Sequence, residues 1–375
     1  MTIRRRALIV RSEALLLSLL FAAPLYAKIT ITFDYTYDKN GFFTTWAAAK
    51  PMLTLAAQSL TDRLRDNLSA ITPNGPDSGA AYAFDPGGGS QLAVHENLNV
   101  PANTIIVNAG AYVLGGTSVG LGGPGVYAVN AGSQAFRDAA AARGQAGALS
   151  NPARDFGPWG GSIAFNTTTG YSFRNNSLGI DFYSVALHEL IHVLGFGTAP
   201  SFNARVAGGV FTGPAAGSVA LSSDLSHWAL GTTGLAGTQP QTAIMTPNYG
   251  GRLTSLDWAA LSDIGWDLAR PGDANADGRV DFNDLVALAQ SYNVNDGQRR
   301  WSQGDFNFDG NVDFNDLVLL AQGYNTTLPS QPIAFDSGTF RVDLARAFAT
   351  VPEPGSLGVM CMVTVFGIAW VGRVR

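Results

Sequence analysis

Asp181-Phe-Tyr-Ser-Val-Ala-Leu-His188-Glu189-Leu-Ile-His192-Val-Leu-Gly195 is the stretch on which the reading of this chain turns. On a helix, His188 and His192 are four residues apart and share one face, and Glu189 sits beside His188. Two neutral imidazoles can hold zinc at about 2.0–2.1 Å while an open position admits water, and a neighbouring carboxylate can take the proton as that water attacks a carbonyl. His and Glu each occur only four times in the chain. Chance would therefore produce this H-E-x-x-H spacing in on the order of one in two thousand chains of such composition. Gly195, three residues after His192, is placed to adopt a left-handed conformation, end the helix and turn the chain back towards the metal.

The chain has 375 residues, 46% of them hydrophobic and 14% charged, with a net charge of −5. That is enough for a large domain and a smaller one. The acidic balance excludes nucleic acid as the main partner, because a phosphate-binding face needs clustered Lys and Arg. At the N-terminus, Arg4-Arg5-Arg6, an apolar run from Ala14 to Ala23 and Pro24-Leu25-Tyr26-Ala27 read as a secretory signal peptide over residues 1–27. The apolar run is too short to cross about 30 Å of hydrocarbon. At the other end, Val351-Pro352-Glu353-Pro354-Gly355 precedes apolar Leu357 to Val371 and Arg373-Val374-Arg375. Residues 351–375 resemble the PEP-CTERM sorting signal of Gram-negative bacteria. The resemblance implies recognition by an exosortase, cleavage near Pro354, a tail held transiently in the inner membrane, and a mature protein that is secreted or on the cell surface; the alternative is a permanent short anchor. The single cysteine, Cys361, lies in this tail, so no disulfide is expected in the processed protein.

Between the ends, Ile29 to Asp34 alternates like a strand, and Trp46 to Leu68 carries a helical apolar stripe with Asp62, Arg63, Arg65 and Asp66 on its other side. Asn103 to Asn108 reads as a second strand, Gly115 to Gly125 as a structural glycine-rich loop or irregular strand connection, and Gln134 to Arg143 as a short helix. Ser162 to Asn166 reads as the strand before the zinc helix, and its position suggests an exposed edge on which a peptide substrate could add as a further strand.

A third zinc ligand is needed. The only Glu after His192 is Glu353, and the remaining histidines are His95, upstream, and His227, in Leu225-Ser-His-Trp228. His188-Glu189-x-x-His192-x-x-Gly195 resembles the start of the metzincin zinc signature, whose compact form would place the third ligand at position 198, here Thr198. The longer spacing resembles that of leishmanolysin-like metzincins. This implies His227 as the third ligand, Ala243-Ile-Met245-Thr-Pro247 as the methionine turn beneath the metal, and Ser255 to Trp266 as the closing helix. The stretch that carries the resemblance, residues 181–266, departs from that group in having no cysteine and a shorter insertion.

Asp273-Ala-Asn275-Ala-Asp277-Gly278-Arg279-Val-Asp281-Phe-Asn-Asp284 recurs as Asp305-Phe-Asn307-Phe-Asp309-Gly310-Asn311-Val-Asp313-Phe-Asn-Asp316, a period of 32 residues. Each copy offers side-chain oxygens at loop positions 1, 3, 5, 9 and 12, a backbone carbonyl at 7 (Arg279, Asn311) and a turn glycine at 6, the pattern of a calcium loop. Helices are expected over Leu285 to Tyr292 and Leu317 to Tyr324. The paired units resemble a type I dockerin, which implies two structural calcium ions, a cohesin-type partner, and specificity carried by Phe282-Asn283 and Phe314-Asn315; a calcium-stabilised spacer is the alternative.

The expected organisation is α+β. A metzincin-like domain over 28–270, with a mixed sheet, a zinc-site helix and a methionine turn, precedes a small α-helical two-loop calcium domain over 271–326, a linker over 327–350 and the sorting tail. The function implied is a secreted zinc endopeptidase acting on extracellular proteins, with Glu189 as general base and His188, His192 and His227 on one catalytic zinc. The rival is a non-catalytic surface or matrix binding protein with a vestigial zinc site. No membrane contact is expected beyond the tail.

Overall fold

The computed structural model describes residues 28–173, 179–327 and 337–350. The expected signal peptide, the sorting tail with Cys361, and part of the expected linker lie outside the described residues. No helix among the described residues is long and apolar enough to cross a membrane.

The chain is α+β. A four-stranded sheet has the order β1 (Thr30–Asp34), β4 (Thr104–Tyr112), β7 (Gly160–Asn166), β5 (Gly120–Pro124). The first three strands run parallel, with Thr30 opposite Thr104 and Ile106 opposite Gly160, while β5 is antiparallel to β7, with Gly120 opposite Phe165. Helices α2 (Ala49–Thr61) and α4 (Phe182–Val193) pack on each other, α2 also against β1 and α4 against β5 and β7. The short helix α1 (Phe42–Thr45) contributes Phe42 and Phe43, which join Phe165 and Phe182 in an aromatic core. A second, antiparallel sheet has the order β3 (Leu92–Glu96), β2 (Ser78–Phe84), β6 (Val126–Ala131), followed by α3 (Gln134–Ala142).

β7 is buried along its whole length because it has a neighbour on both sides. The edge reading of residues 162–166 is therefore corrected: the edge strand beside α4 is β5, inside the glycine-rich run read as a loop or irregular strand connection. Glycines lower strand propensity, so pattern alone hid this strand.

A short parallel pair, β8 (Tyr171–Ser172) and β9 (Ile180–Asp181), leads into α4, and α5 (Pro200–Asn203) follows it. A small sheet β10 (Val206–Ala207), β11 (Val210–Gly213), β12 (Gly217–Ala220) and a hairpin β13 (Thr233–Ala236), β14 (Gln239–Thr242) follow, and then α6 (Ser255–Asp263).

Two further readings are corrected. α2 stops at Thr61 and not near Leu68, because the chain then runs extended: Arg65 N–H donates to the Asp267 carbonyl at 2.9 Å and Ala269 N–H to the Arg63 carbonyl at 2.8 Å. The charged residues set opposite the apolar stripe are not solvated; Asp62, Arg65 and Asp66 are buried.

The C-terminal unit holds α7 (Phe282–Ser291) and α8 (Phe314–Gly323), with a short ladder between β15 (Arg279–Val280) and β16 (Thr326–Thr327). Residues 337–350, read as linker, form helix α9 (Ser337–Thr350), which packs on α7. Phe340 and Ala347 are buried with Leu344 and Phe348 beside them, an apolar stripe at helical spacing.

Candidate metal centres

Asp181 caps α4, its side chain accepting from Ser184 N–H at 3.1 Å. Almost every α4 side chain is buried, so the helix is rigidly seated and His188, Glu189 and His192 have no freedom to swing out. Gly195 follows with φ +103°, and Phe196 N–H reaches back to the Ile191 carbonyl at 3.2 Å, the left-handed termination expected of that glycine.

Three imidazoles meet here. His227 Nε2 lies 3.1 Å from His188 Nε2 and 3.2 Å from His192 Nε2, and His188 and His192 are 3.2 Å apart at the same atoms. Each ring is held from behind. His188 Nδ1 donates to the Ile244 carbonyl at 2.7 Å, His192 Nδ1 to the Phe196 carbonyl at 2.9 Å, and His227 Nδ1 to Asp224 Oδ2 at 2.8 Å. Carbonyls cannot donate, so the Nδ1 protons of His188 and His192 are fixed and their Nε2 atoms face inward as bare lone pairs. Burial, with the neighbouring imidazoles, lowers the pKa of His188 well below its ordinary value and that of His192 to about 4. Three inward lone pairs without a proton between them call for a cation. A tetrahedral ion bonded at about 2.0–2.1 Å separates its nitrogens by about 3.3–3.4 Å, so the trio fits zinc with a slight expansion. The fourth histidine, His95, is not in the trio; its Nε2 is 2.9 Å from Asn108 Oδ1.

Glu189 is buried beside the trio, and loss of hydration pushes its carboxyl up to about 8. β5 passes directly over it: a Cβ on Gly120 would stand 2.3 Å from Glu189 Oε1, and one on Gly122 2.3 Å from the Glu189 carbonyl. The two glycines thus let the edge strand approach the acid. Tyr249 joins the site to this strand, its ring centroid 5.3 Å from that of His188 and its phenol against the backbone of Val119 and Gly120.

Below the trio, Asp257 at the start of α6 is a hub. Its carboxylate accepts from Trp228 Nε1 (3.1 Å), Ile244 N–H (3.2 Å), Met245 N–H (3.3 Å) and Thr254 N–H (2.9 Å). It ties the residue after His227 to the turn whose Ile244 carbonyl orients His188; Met245 is fully buried in that turn. No local pattern in the sequence marks Gly120, Gly122, Tyr249 or Asp257 for this site; Asp224, three residues before His227 within Ser-Asp-Leu-Ser-His, carries a local signal that the sequence reading passed over.

In the C-terminal unit, both loops repeat one hydrogen-bond pattern. Asp273 Oδ2 accepts from Gly278 N–H and Asp305 Oδ2 from Gly310 N–H, each at 3.0 Å. In both residues Oδ1 is buried without a protein partner. Position 12 closes each loop, with Asp284 accepting from Ala274 N–H at 2.9 Å and Asp316 from Phe306 N–H at 2.9 Å. The other side chains of the sequence pattern line the same loops. Asn275 and Asn307 accept from Asp277 and Asp309 N–H, these from Arg279 and Asn311 N–H, and Asp281 and Asp313 cap α7 and α8. Burial raises the carboxyls of Asp273 and Asp316 to about 6 and that of Asp284 to about 7. Buried carboxylates with orphaned oxygens fit a hard dication bound through oxygen. Residues 271–325 match the dockerin type I domain. Dockerin domains bind calcium. On the dockerin domain, Phe314 and Val318 of α8 are exposed, whereas their repeat counterparts Phe282 and Val286 of α7 are half-buried, with Arg346 of α9 over the Phe282 ring at 5.1 Å. No curated protein and no solved structure matches the chain.

Proposed function

We propose that the chain is a secreted zinc-dependent endopeptidase of metzincin type, carried to a cohesin-type partner or the cell surface by its dockerin domain. The observation that carries this reading is the set of three Nε2 atoms, each imidazole held at Nδ1, beside a buried carboxylate under an edge strand. His188, His192 and His227 would hold a zinc ion, which when bound would polarise a carbonyl and activate water. Glu189 would take the proton from the attacking water and deliver it to the leaving amine. β5 offers its free side to an extended peptide as a further strand, which would set the scissile bond over Glu189.

The test is hydrolysis of an unfolded protein by the full chain beside Glu189→Ala at equal zinc content. Cleavage by the parent alone supports the reading. If neither cleaves while both hold zinc, the enzyme reading falls, and the non-catalytic surface protein takes its place.

A further inference from the structure

The face of the dockerin domain that carries its calcium loops is turned onto the N-terminal domain. From the first loop, the Ala276 carbonyl accepts from Arg65 Nε at 3.2 Å. From the second, the Asn307 carbonyl accepts from Gly237 N–H at 2.5 Å and the Asp309 carbonyl from an Arg252 guanidinium nitrogen at 3.3 Å. Between these two carbonyls lies Phe308, fourth in its loop, with φ +66°; Ala276, fourth in the other loop, has φ +58°. A left-handed aromatic residue is strained, by roughly 1–2 kcal/mol, and needs its surroundings to hold it. Its ring stacks on Trp301 at 5.6 Å and meets Trp258 of α6 at 6.1 Å, with the Arg63 guanidinium 4.6–4.9 Å from all three rings. Phe308 packs against both the N-terminal core and the dockerin core.

Trp258 follows Asp257, the residue that holds Ile244, Met245 and Trp228 beneath the imidazoles. A continuous packed route therefore runs from the second calcium loop through Phe308 and Trp258 to Asp257, the Ile244 carbonyl and His188. We propose that calcium in the dockerin domain tightens the zinc site of the same chain along this route. The bistable element is the loop. With a dication its buried carboxylates are drawn together and Phe308 is held in the left-handed wedge; without one they repel, the loop relaxes and Trp258 loses its cover. The exposed face of α8 takes no part, so the domain can brace the zinc site and still present Phe314 and Val318 to a partner.

The inference rests on the reading of His188, His192 and His227 as a zinc site. Full-length protein stripped of metals on a chelating resin is titrated with zinc against a chromophoric competitor, without calcium and with saturating calcium. Zinc binding is expected to tighten about tenfold with calcium, and by reciprocity zinc should shift the calcium midpoint by the same factor. Phe308→Ala and Arg63→Ala should abolish most of the difference, Arg63→Ala without changing any residue of the loop, while Phe314→Ala should retain it. Calcium-independent zinc affinity in the parent, or full coupling in both Phe308→Ala and Arg63→Ala, overturns the inference and leaves the zinc site standing. Failure of the His trio to bind zinc, with the same stoichiometry in His227→Ala, removes the zinc reading and the coupling with it.

Discussion

Replacing Gly120 by alanine adds one methyl group where the edge strand crosses Glu189, the proposed general base. That Cβ would lie 2.3 Å from Glu189 Oε1 and 2.8 Å from both Cδ and Cγ, about 1 Å inside ordinary contact. Glu189 is buried and cannot retreat to solvent, so either its carboxylate turns away or β5 lifts from β7. Overpacking of this kind costs about 1–3 kcal/mol, a fall in Tm of about 2–4 °C per kcal/mol for a domain of this size. Displacing a catalytic group by about 1 Å costs on the order of 100-fold in rate. The expected result is therefore a large loss of kcat/KM towards an unfolded protein with zinc content unchanged, since no imidazole is touched. Gly123, on the same strand, has nothing within 4 Å of its would-be Cβ, so Gly123→Ala should behave as the parent. Full hydrolysis by Gly120→Ala would refute the placement of β5 over the acid.

Asp224 holds His227 Nδ1 through Oδ2 while its Oδ1 accepts from Ser222 Oγ and Ser226 N–H, so Asp224→Ala should weaken zinc binding about 10–100-fold, read by chelator competition, with Asp224→Asn between parent and Ala; an unchanged affinity would show that Ser226 and the loop suffice. Asp66 is buried with one orphaned oxygen, and desolvation, then Asp267, raises its carboxyl to about 8. The folded protein thus holds a proton that the unfolded chain releases near pH 4, and stability falls as pH rises from about 4 to about 8. Asp66→Asn should lose that dependence and gain on the order of 1–3 kcal/mol relative to the parent at pH 8 in urea unfolding of calcium-loaded protein; parallel pH profiles of the two proteins would dismiss the buried charge.

What was legible from the residues was local. His188, Glu189, His192 and Gly195 lie within eight positions of one helix and its termination, so helical period alone sets their relation. The calcium loops are contiguous and doubled, so each donor's place follows from turn chemistry over twelve residues. The α2 stripe and α3 announced themselves by the same period, although the end of α2 did not: its last expected turn was claimed by an exchange of hydrogen bonds with residues 267–269, some two hundred positions away. α9 was hidden by the neighbouring prolines, its apolar stripe read as linker.

The sequence by itself determined which groups can hold metal, because ligand identity and short spacing are properties of the chain. Only the tertiary structure decided what surrounds them. It brought the imidazole of His227 to within 3.2 Å of the other two, laid a glycine strand over Glu189, made Asp257 the floor of the site and turned the calcium loops onto Arg63 and Trp258. Those contacts join residues far apart in the chain. They follow from which faces bury against each other, and no local pattern records that choice.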